Sequence, residues 1–596
     1  MLLINRIFSN NISVWIFSLL MIVLAIVLHK NNKKKFLYLL PIVVGVIHFI
    51  FFSFKGNFYH TKYYYGVFYI ALIVMVLPLF IGRFPRIKKI VLPIVTTFCI
   101  LAGVHTVVQP MVFNSAMRNH TRQGYVKSFI SATKDMEKYY SLKDWKKIDM
   151  QALREKFLPV MEMAEETHDA GLFVAATVAF GYNFHDGHVI VSVPVYDPWI
   201  RCLELLSGND YGLSMIRLDD GKTVAVNVEE DSPAWKNGIR DKTVITSWNG
   251  QPIDEAIEET EFIYVSFTIP VKASEDMFKP IMLATKGMRK NGEKGIIGDL
   301  IQNASITDDS QRPHALVGYI DENGDEKELE LEALGCGLDR FEMTYLFLDL
   351  VEYIQFPDIK NLETVMLNDD TAYMARWSET SSTFYDVLSY FTNRNSKVRN
   401  MLIDELTQMK NQGMKKLIID ARSNTGGFWA IGIETASLFT NEPFDIAKRG
   451  SNVFGKKKII STVTVPADGR FSDIEVLMLV NHYCVSSGDL LVKMLKKCPN
   501  VTVMGLTPSN CSCQEVGGIS FLSDSICNIR YPVNWLYEVD EETRCIDTDE
   551  TRECTLPLDV KVPLTYDLAQ SMYDDRKTRD VLLDYAFDYL NTKKDE

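Results

Sequence analysis

Apolar positions change texture along this chain, and each texture predicts different elements. In the first 110 residues they form four unbroken runs, near 12–28, 36–54, 64–81 and 90–108, each close to the ~20 residues that cross a bilayer as a helix. Nothing after position 108 is long and apolar enough to cross again. In "MQALREKFLPVMEMAEETHDAGLFVAATVAF" apolar residues recur at three and four, so 111 to about 180 reads as mostly helical. "GYNFHDGHVIVSVPV" follows, with Val189, Ile190, Val191 and Val193 on a strand and the pair His185 and His188 just before it. From Tyr211 the texture turns to short strands and tight turns. Later, wholly apolar strands alternate with helical patterns in "MKKLIIDARSNTGGFWAIGIETASLF", "VLMLVNHYCVSSGDLLVKMLKK" and "VTVMG". That alternation predicts an α/β core with parallel pairing.

Charge sharpens the division. Residues 1–110 carry eleven Lys or Arg and no Asp or Glu, so the overall −13 leaves −24 on the remainder. Lys30, Lys33, Lys34 and Lys35 separate the first two runs, and Arg83, Arg86, Lys88 and Lys89 separate the last two. By the positive-inside rule those loops are cytoplasmic, which places four transmembrane helices in the membrane and everything after position 108 outside. A cleaved signal peptide fits less well, because the positive charge follows the first run instead of preceding it. The expectation is a multi-pass cell-membrane protein, in contact with lipid, bearing a soluble acidic part on the extracytoplasmic side. That part has no basic patch to track phosphate, which argues against nucleic acid. Nine of the ten cysteines lie in it, and outside the cytoplasm disulfides are permitted. Cys511 and Cys513 form a Cys-x-Cys without a second pair or nearby histidines, so no metal is assigned, and no cofactor.

Candidate chemistry concentrates where an apolar strand meets a helix at Ser486 and Ser487. Ser486 with Asp489 three residues on fits a capping box, a structural role. A nucleophile would want the same corner, since first-turn amides point outward there and the helix dipole favours negative charge. Local sequence leaves both readings open.

Two resemblances bear on the choice. Gly212 and Leu213, then Ser232-Pro233-Ala234, Asn237-Gly238-Ile239 and Trp248-Asn249-Gly250 resemble the PDZ module, although Lys242-Thr243 replaces its usual Gly-Asp. A PDZ fold binds a peptide end by sheet extension, with Gly212 and Leu213 in the carboxylate-holding turn. Five segments in order, namely "NFHDGHVIV", the PDZ insertion, "LIIDARSNTGG", "NHYCVSSGDLL" and "PLDVKVPLT", resemble the S41 peptidases, the tail-specific and tricorn-core serine proteases. The resemblance implies a peptidase core of ClpP/crotonase-like βαβ units with an inserted mainly-β PDZ domain. The divisions are then 1–110, four transmembrane helices; 111–205, a helical part ending in the His-bearing strand; 206–335, a PDZ-like domain with an insert at 258–305; 336–570, the α/β core; and 571–596, a C-terminal helix.

The resemblance further implies Ser486 as nucleophile. Family members activate it with a lysine or a histidine. The lysine position falls on Cys511, and no lysine occurs between Lys497 and Lys561, so His188 is the expected general base. The same resemblance implies as oxyanion donors the amides of Ser487 and of Gly426 or Gly427, with Asp420, Arg422 and Asn424 expected to brace their turn. A hydroxyl and an acid orient the imidazole in histidine-using relatives. Gly187 replaces the hydroxyl, and Glu550 and Glu553 are candidates for the acid. The expected function is a membrane-anchored serine endopeptidase acting on chain ends or unfolded segments of extracytoplasmic polypeptides; oligomeric state is not legible. The alternative is a catalytically inactive S41-like PDZ binding platform at the membrane. A transporter or sensor role for the four spans is less economical, since they hold only isolated histidines and no acidic residue.

Overall fold

Runs of branched and long aliphatic residues without polar alternation build the middle of the molecule. In this computed structural model the described residues are 117–592, apart from 264–267, 289–294, 307–310, 350–357, 382–384, 387–388, 390–391, 454–455 and 542. The four apolar runs expected to cross a membrane lie outside the described residues, among which no helix is long and apolar enough to do so.

The central sheet has six strands in chain order: β1 Thr364–Met366, β2 Thr371–Ala375, β3 Lys416–Asp420, β4 Glu475–Leu479, β5 Val501–Gly505 and β6 Val560–Lys561. β1 runs antiparallel to β2, and all later pairs are parallel. β2 and β3 are buried at every position, as expected for strands covered on both faces. Helices Ser396–Asn411, Trp429–Ser437 and Ser487–Leu495 make the crossovers. The register pairs Asp420 with Leu479 and Leu479 with Met504. β3, β4 and β5 therefore end level, and their three following loops emerge side by side, at the edge where open α/β sheets place their sites.

A second sheet explains how a distant stretch reaches that edge. Its order is Met117–Asn119, Val516–Phe521, Asn528–Pro532 and Ile190–Ser192. The last pairing sets Val191 opposite Ile529, which fixes the His188 loop against the chain that follows β5. Behind it pack helices Tyr125–Tyr139, Met150–Thr167 and Ala170–Tyr182. Asp149 and Asp169 cap the latter two by accepting first-turn amides. The third helix is buried from Gly171 to Tyr182. Its Phe180 ring meets Phe129, Phe157 and Phe184 edge-on, with centroids 5.1, 5.8 and 5.2 Å away.

Residues 209–336 gather a separate apolar cluster around Trp248, Tyr211 and Leu213. It contains the pair Ser214–Arg217 and Thr223–Val226. Beside that pair lies a four-stranded sheet in the order Gln251–Pro252, Ile245–Trp248, His314–Ile320, Glu326–Glu332. Helix Lys272–Leu283, from the inserted stretch, packs against the Ser214–Arg217 strand. The chain ends in two helices, Tyr566–Asp575 and Val581–Thr592, where one C-terminal helix was expected. Asp580, between them, bonds Arg422 through Nη1 at 2.9 Å and so ties the chain end to the loop after β3.

Candidate active site

The loop after β4 turns into helix Ser487–Leu495 at Ser486, whose φ of 66° and ψ of −123° lie outside the regions an L-residue favours. Such a conformation costs of the order of 1–3 kcal/mol and persists where the surroundings over-determine it. They do so here. The Ser486 N–H donates to Ser512 O at 2.9 Å and to Asp489 Oδ2 at 3.1 Å. Asp489 is fully buried and also accepts the amides of Cys511 and Ser512 at 2.8 and 2.9 Å. Burial pushes its carboxyl up to about 7, against those amides and the Ser509 hydroxyl, which favour the charged form. The Ser486–Asp489 spacing is thus a helix cap, and it holds the serine while leaving the residue half-exposed in a cleft.

Beside it stands the turn after β3. Gly426 has φ 81°, and a Cβ there would lie 2.7 Å from Ser486 Cβ and 2.9 Å from the Ser487 nitrogen. Glycine is what lets the two loops touch. The Gly426 N–H donates to Asn424 Oδ1 at 2.9 Å, so this amide is committed to its own turn. Glu379 N–H donates to Gly426 O, and Phe428 N–H donates to Glu379 O, which leaves the Gly427 N–H outside that ladder. Asn424 Nδ2 donates to Glu379 Oε1 at 3.0 Å, and Arg376 grips the same fully buried carboxylate at 2.9 and 2.7 Å. Asp420 and Arg422 pair at 2.7 Å beneath the loop. Of the expected oxyanion donors, Ser487, as the first residue of its helix, and Gly427 retain available amides; Gly426 does not.

His188 is buried and lines one cleft of about 770 Å³ together with Ser486, Ser487 and Gly427. Its Nδ1 lies 3.0 Å from Ser512 Oγ. That hydroxyl in turn reaches two buried carboxylates, Asp186 Oδ1 at 2.9 Å and Asp547 Oδ2 at 3.2 Å. Asp186 also accepts the His188 N–H at 2.8 Å and the Tyr140 hydroxyl at 2.8 Å. Asp547 pairs through Oδ1 with the buried Lys146 ammonium at 2.7 Å. Burial lowers the His188 pKa below its ordinary value, with Asp186 opposing and Lys146 assisting. Burial likewise pushes Asp547 up to about 7, although Lys146 pulls the other way. Lys146 is not among the cleft-lining residues; besides Asp547 it donates to Thr548 O and His185 O at 2.8 Å each.

Several expectations need correcting against this geometry. Glu550 pairs with the exposed Lys147, and Glu553 is exposed, so neither meets the buried face of the imidazole. Gly187 brings no hydroxyl to the imidazole, and the hydroxyl that lies beside it is that of Ser512. A Cβ at 187 would fall 1.9 Å from Asn510 Oδ1 and 3.2 Å from Ser512 Cβ, so the position is filled from across the fold. Sequence reasoning missed Ser512, Asp547 and Lys146. Asp547 could have been found: it opens the same charged stretch, 547–554, that holds Glu550 and Glu553, and it alone of the three directly follows apolar residues, Cys545 and Ile546. Lys146, in a stretch with Lys143 and Lys147, looks like a solvated face. His185 is not among the cleft-lining residues, and its pKa is lowered to about 3, first by burial. Cys511, at the position of the family lysine, is buried beside Cys554. In the 209–336 unit the Gly212 N–H donates to Asp210 Oδ1 at 2.7 Å, Asp210 being held by Arg340, and Leu213 is buried in the core. The amide expected to meet a peptide carboxylate is therefore already taken by a carboxylate of this chain.

Among curated proteins nothing matches this chain. Among solved structures, mature CPAF is 11% identical with a TM-score of 0.44, covering 76% of this chain and 95% of that one. The photosystem II D1 C-terminal processing protease is 15% identical with a TM-score of 0.30, covering 76% and 98%. The tricorn protease is 12% identical with a TM-score of 0.32, covering 79% of this chain and 37% of that one. Residues 385–516, which run from ahead of the Gly-Gly turn through the serine corner and past Ser512, match the family model described as Peptidase family S41, and the chain therefore carries the domain of a serine-type peptidase.

Proposed function

We propose that the chain is a serine endopeptidase with Ser486 as nucleophile and His188 as general base, acting on polypeptides outside the cytoplasm from a membrane anchor. The observation that carries this reading is the shared cleft: a serine held in a strained corner and a histidine whose far nitrogen is already engaged both face it. With Nδ1 donating to Ser512, Nε2 is the nitrogen left to take the Ser486 proton. Burial keeps the ring neutral near pH 7 and so ready to act as base.

Attack by Ser486 Oγ on a peptide carbonyl gives an oxyanion facing the amides of Ser487 and Gly427. His188 then protonates the departing amine, and later activates water to release the acyl group. The imidazolium formed in between is stabilised through Ser512 by the Asp186 and Asp547 pair. Trp429, Ile460, Leu490, Val516 and Val533 wall the cleft, with the Arg449–Glu515 pair at 2.8 Å among them, so an apolar stretch of extended peptide suits it. The 209–336 unit would act as a PDZ-like holder of the substrate, and a chain end would compete with Asp210 for the Gly212 amide.

A fluorophosphonate probe tests the reading. Labelling of the wild-type chain that disappears in Ser486→Ala is the expected result. Labelling that survives that substitution, or that never appears in folded protein, sinks it.

A further inference from the structure

Cys511 and Cys554 lie 43 positions apart in sequence, yet their Sγ atoms are 3.2 Å apart, only about 1.2 Å more than a disulfide bond length. Cys511 is fully buried, and Cys554 is partly open to solvent. We propose that the two form a disulfide, and that this cross-link tethers the segment carrying Ser512.

The geometry around each sulfur gives the bond its consequence. Cys511 immediately precedes Ser512, and the two donate their amides to the two oxygens of Asp489. Ser512 then accepts the Ser486 N–H on its carbonyl, while its hydroxyl meets His188 Nδ1. Cys554 lies in the same short stretch as Asp547, whose carboxylate receives that hydroxyl at 3.2 Å. A bond between the sulfurs therefore joins the peptide that presents the relay hydroxyl to the peptide that presents its acid. Reduction leaves the two held by hydrogen bonds and by the apolar packing of Cys511, Cys513, Ile546 and Leu556, with no covalent link. The role in the relay rests on the peptidase reading given above; the cross-link does not.

Formation needs an oxidant, and a low-molecular-weight disulfide RSSR suffices. The accessible Cys554 thiolate attacks one RSSR sulfur, breaking the S–S bond and releasing RS⁻. Cys511, as it gives up its proton, then attacks Cys554 Sγ and expels the second RS⁻. The balance is two protein thiols plus RSSR giving one protein disulfide plus two RSH. Such exchange runs forward in oxidising compartments, which is where the proposed extracytoplasmic location would put this part of the chain.

The experiment uses the full chain, equilibrated with excess oxidised glutathione or with dithiothreitol, then alkylated and digested for peptide mass mapping. The expected result is that oxidation joins the Cys511 and Cys554 peptides with the loss of two hydrogens. Oxidation also slows amide hydrogen exchange in 511–516 and raises the rate of fluorophosphonate labelling several-fold. Cys554→Ser should label at the rate of reduced wild type in either buffer. Both thiols remaining alkylatable after oxidation, or either one bonding elsewhere, overturns the cross-link. A cross-linked chain whose 511–516 exchange and labelling match those of the reduced chain overturns the tether. A chain that cross-links and gains exchange protection but never labels upholds this proposal and removes the peptidase reading instead.

Discussion

Ser512 joins three charged or ionisable groups with one hydroxyl, and this makes it the most informative single residue of the site. Its Oγ can receive a proton from His188 Nδ1 and pass its own to Asp186 or Asp547, all within 3.2 Å. Removing it leaves the imidazole without a partner at hydrogen-bond distance on its buried side, since the Asp186 carboxylate is 3.9 Å away. Ser512→Ala is therefore expected to lower kcat/KM about 10–100-fold, chiefly through kcat, because orientation of the base is lost while the nucleophile stays in place. Ser512→Thr should recover most of the loss, a rescue that a merely structural position would not show. Glu550→Gln, at an exposed pair with Lys147, is expected to leave peptide turnover unchanged. Equal losses in Ser512→Ala and Glu550→Gln would return the acid to the charge run.

At the scale of elements, the corner at Ser486 and the turn at Gly426 and Gly427 are one construction made of two loops. Gly427 has φ 143°, and a Cβ there would sit 2.3 Å from the Glu379 carbonyl oxygen, a backbone atom that cannot swing aside. Gly427→Ala should cost about 2–4 kcal/mol of stability by forcing that contact apart. It should also abolish fluorophosphonate labelling of whatever folds, since the amide aimed at the oxyanion moves with it. A denaturant melt and a labelling assay on the folded fraction read the two effects separately. A normal melt with normal labelling would remove Gly427 from the oxyanion site. These elements were legible in advance because their signals are local: an apolar run, a Gly-Gly turn, and Ser486 with Asp489 at capping distance. The commitment of the Gly426 amide to Asn424 was not legible, because it depends on which way one side chain turns inside a buried loop.

The whole molecule brings His188 to the cleft that Ser486 lines through strand pairing between Ile190–Ser192 and Asn528–Pro532, a contact that no local pattern announces. Sequence could place His188 at a strand start and Ser486 at a helix mouth. The partners behind the histidine come from 140, 146, 186, 512 and 547, and only the closed fold selects them from among many equivalent side chains. Burying that network has a consequence for pH. Burial raises the Asp547 pKa from an ordinary 3.8 towards about 7, so in that range the folded chain holds a proton that the unfolded chain has released. Stability from this group therefore falls as pH rises from about 4 to 7. His188, with a depressed pKa, contributes the opposite slope below its ordinary 6.5, because there the unfolded chain binds the proton that the buried ring refuses. The two partly cancel in the wild type, and Asp547→Asn separates them. The variant should lose the contact between the carboxyl and Lys146, whose ammonium keeps its bonds to Thr548 O and His185 O, and should gain on the wild type from pH 4 towards 7. Chemical denaturation across that range measures the difference. A variant that instead loses ground with rising pH would mean that Lys146 outweighs burial at Asp547, holding the carboxylate ionised well below 7, with the relay acid permanently charged.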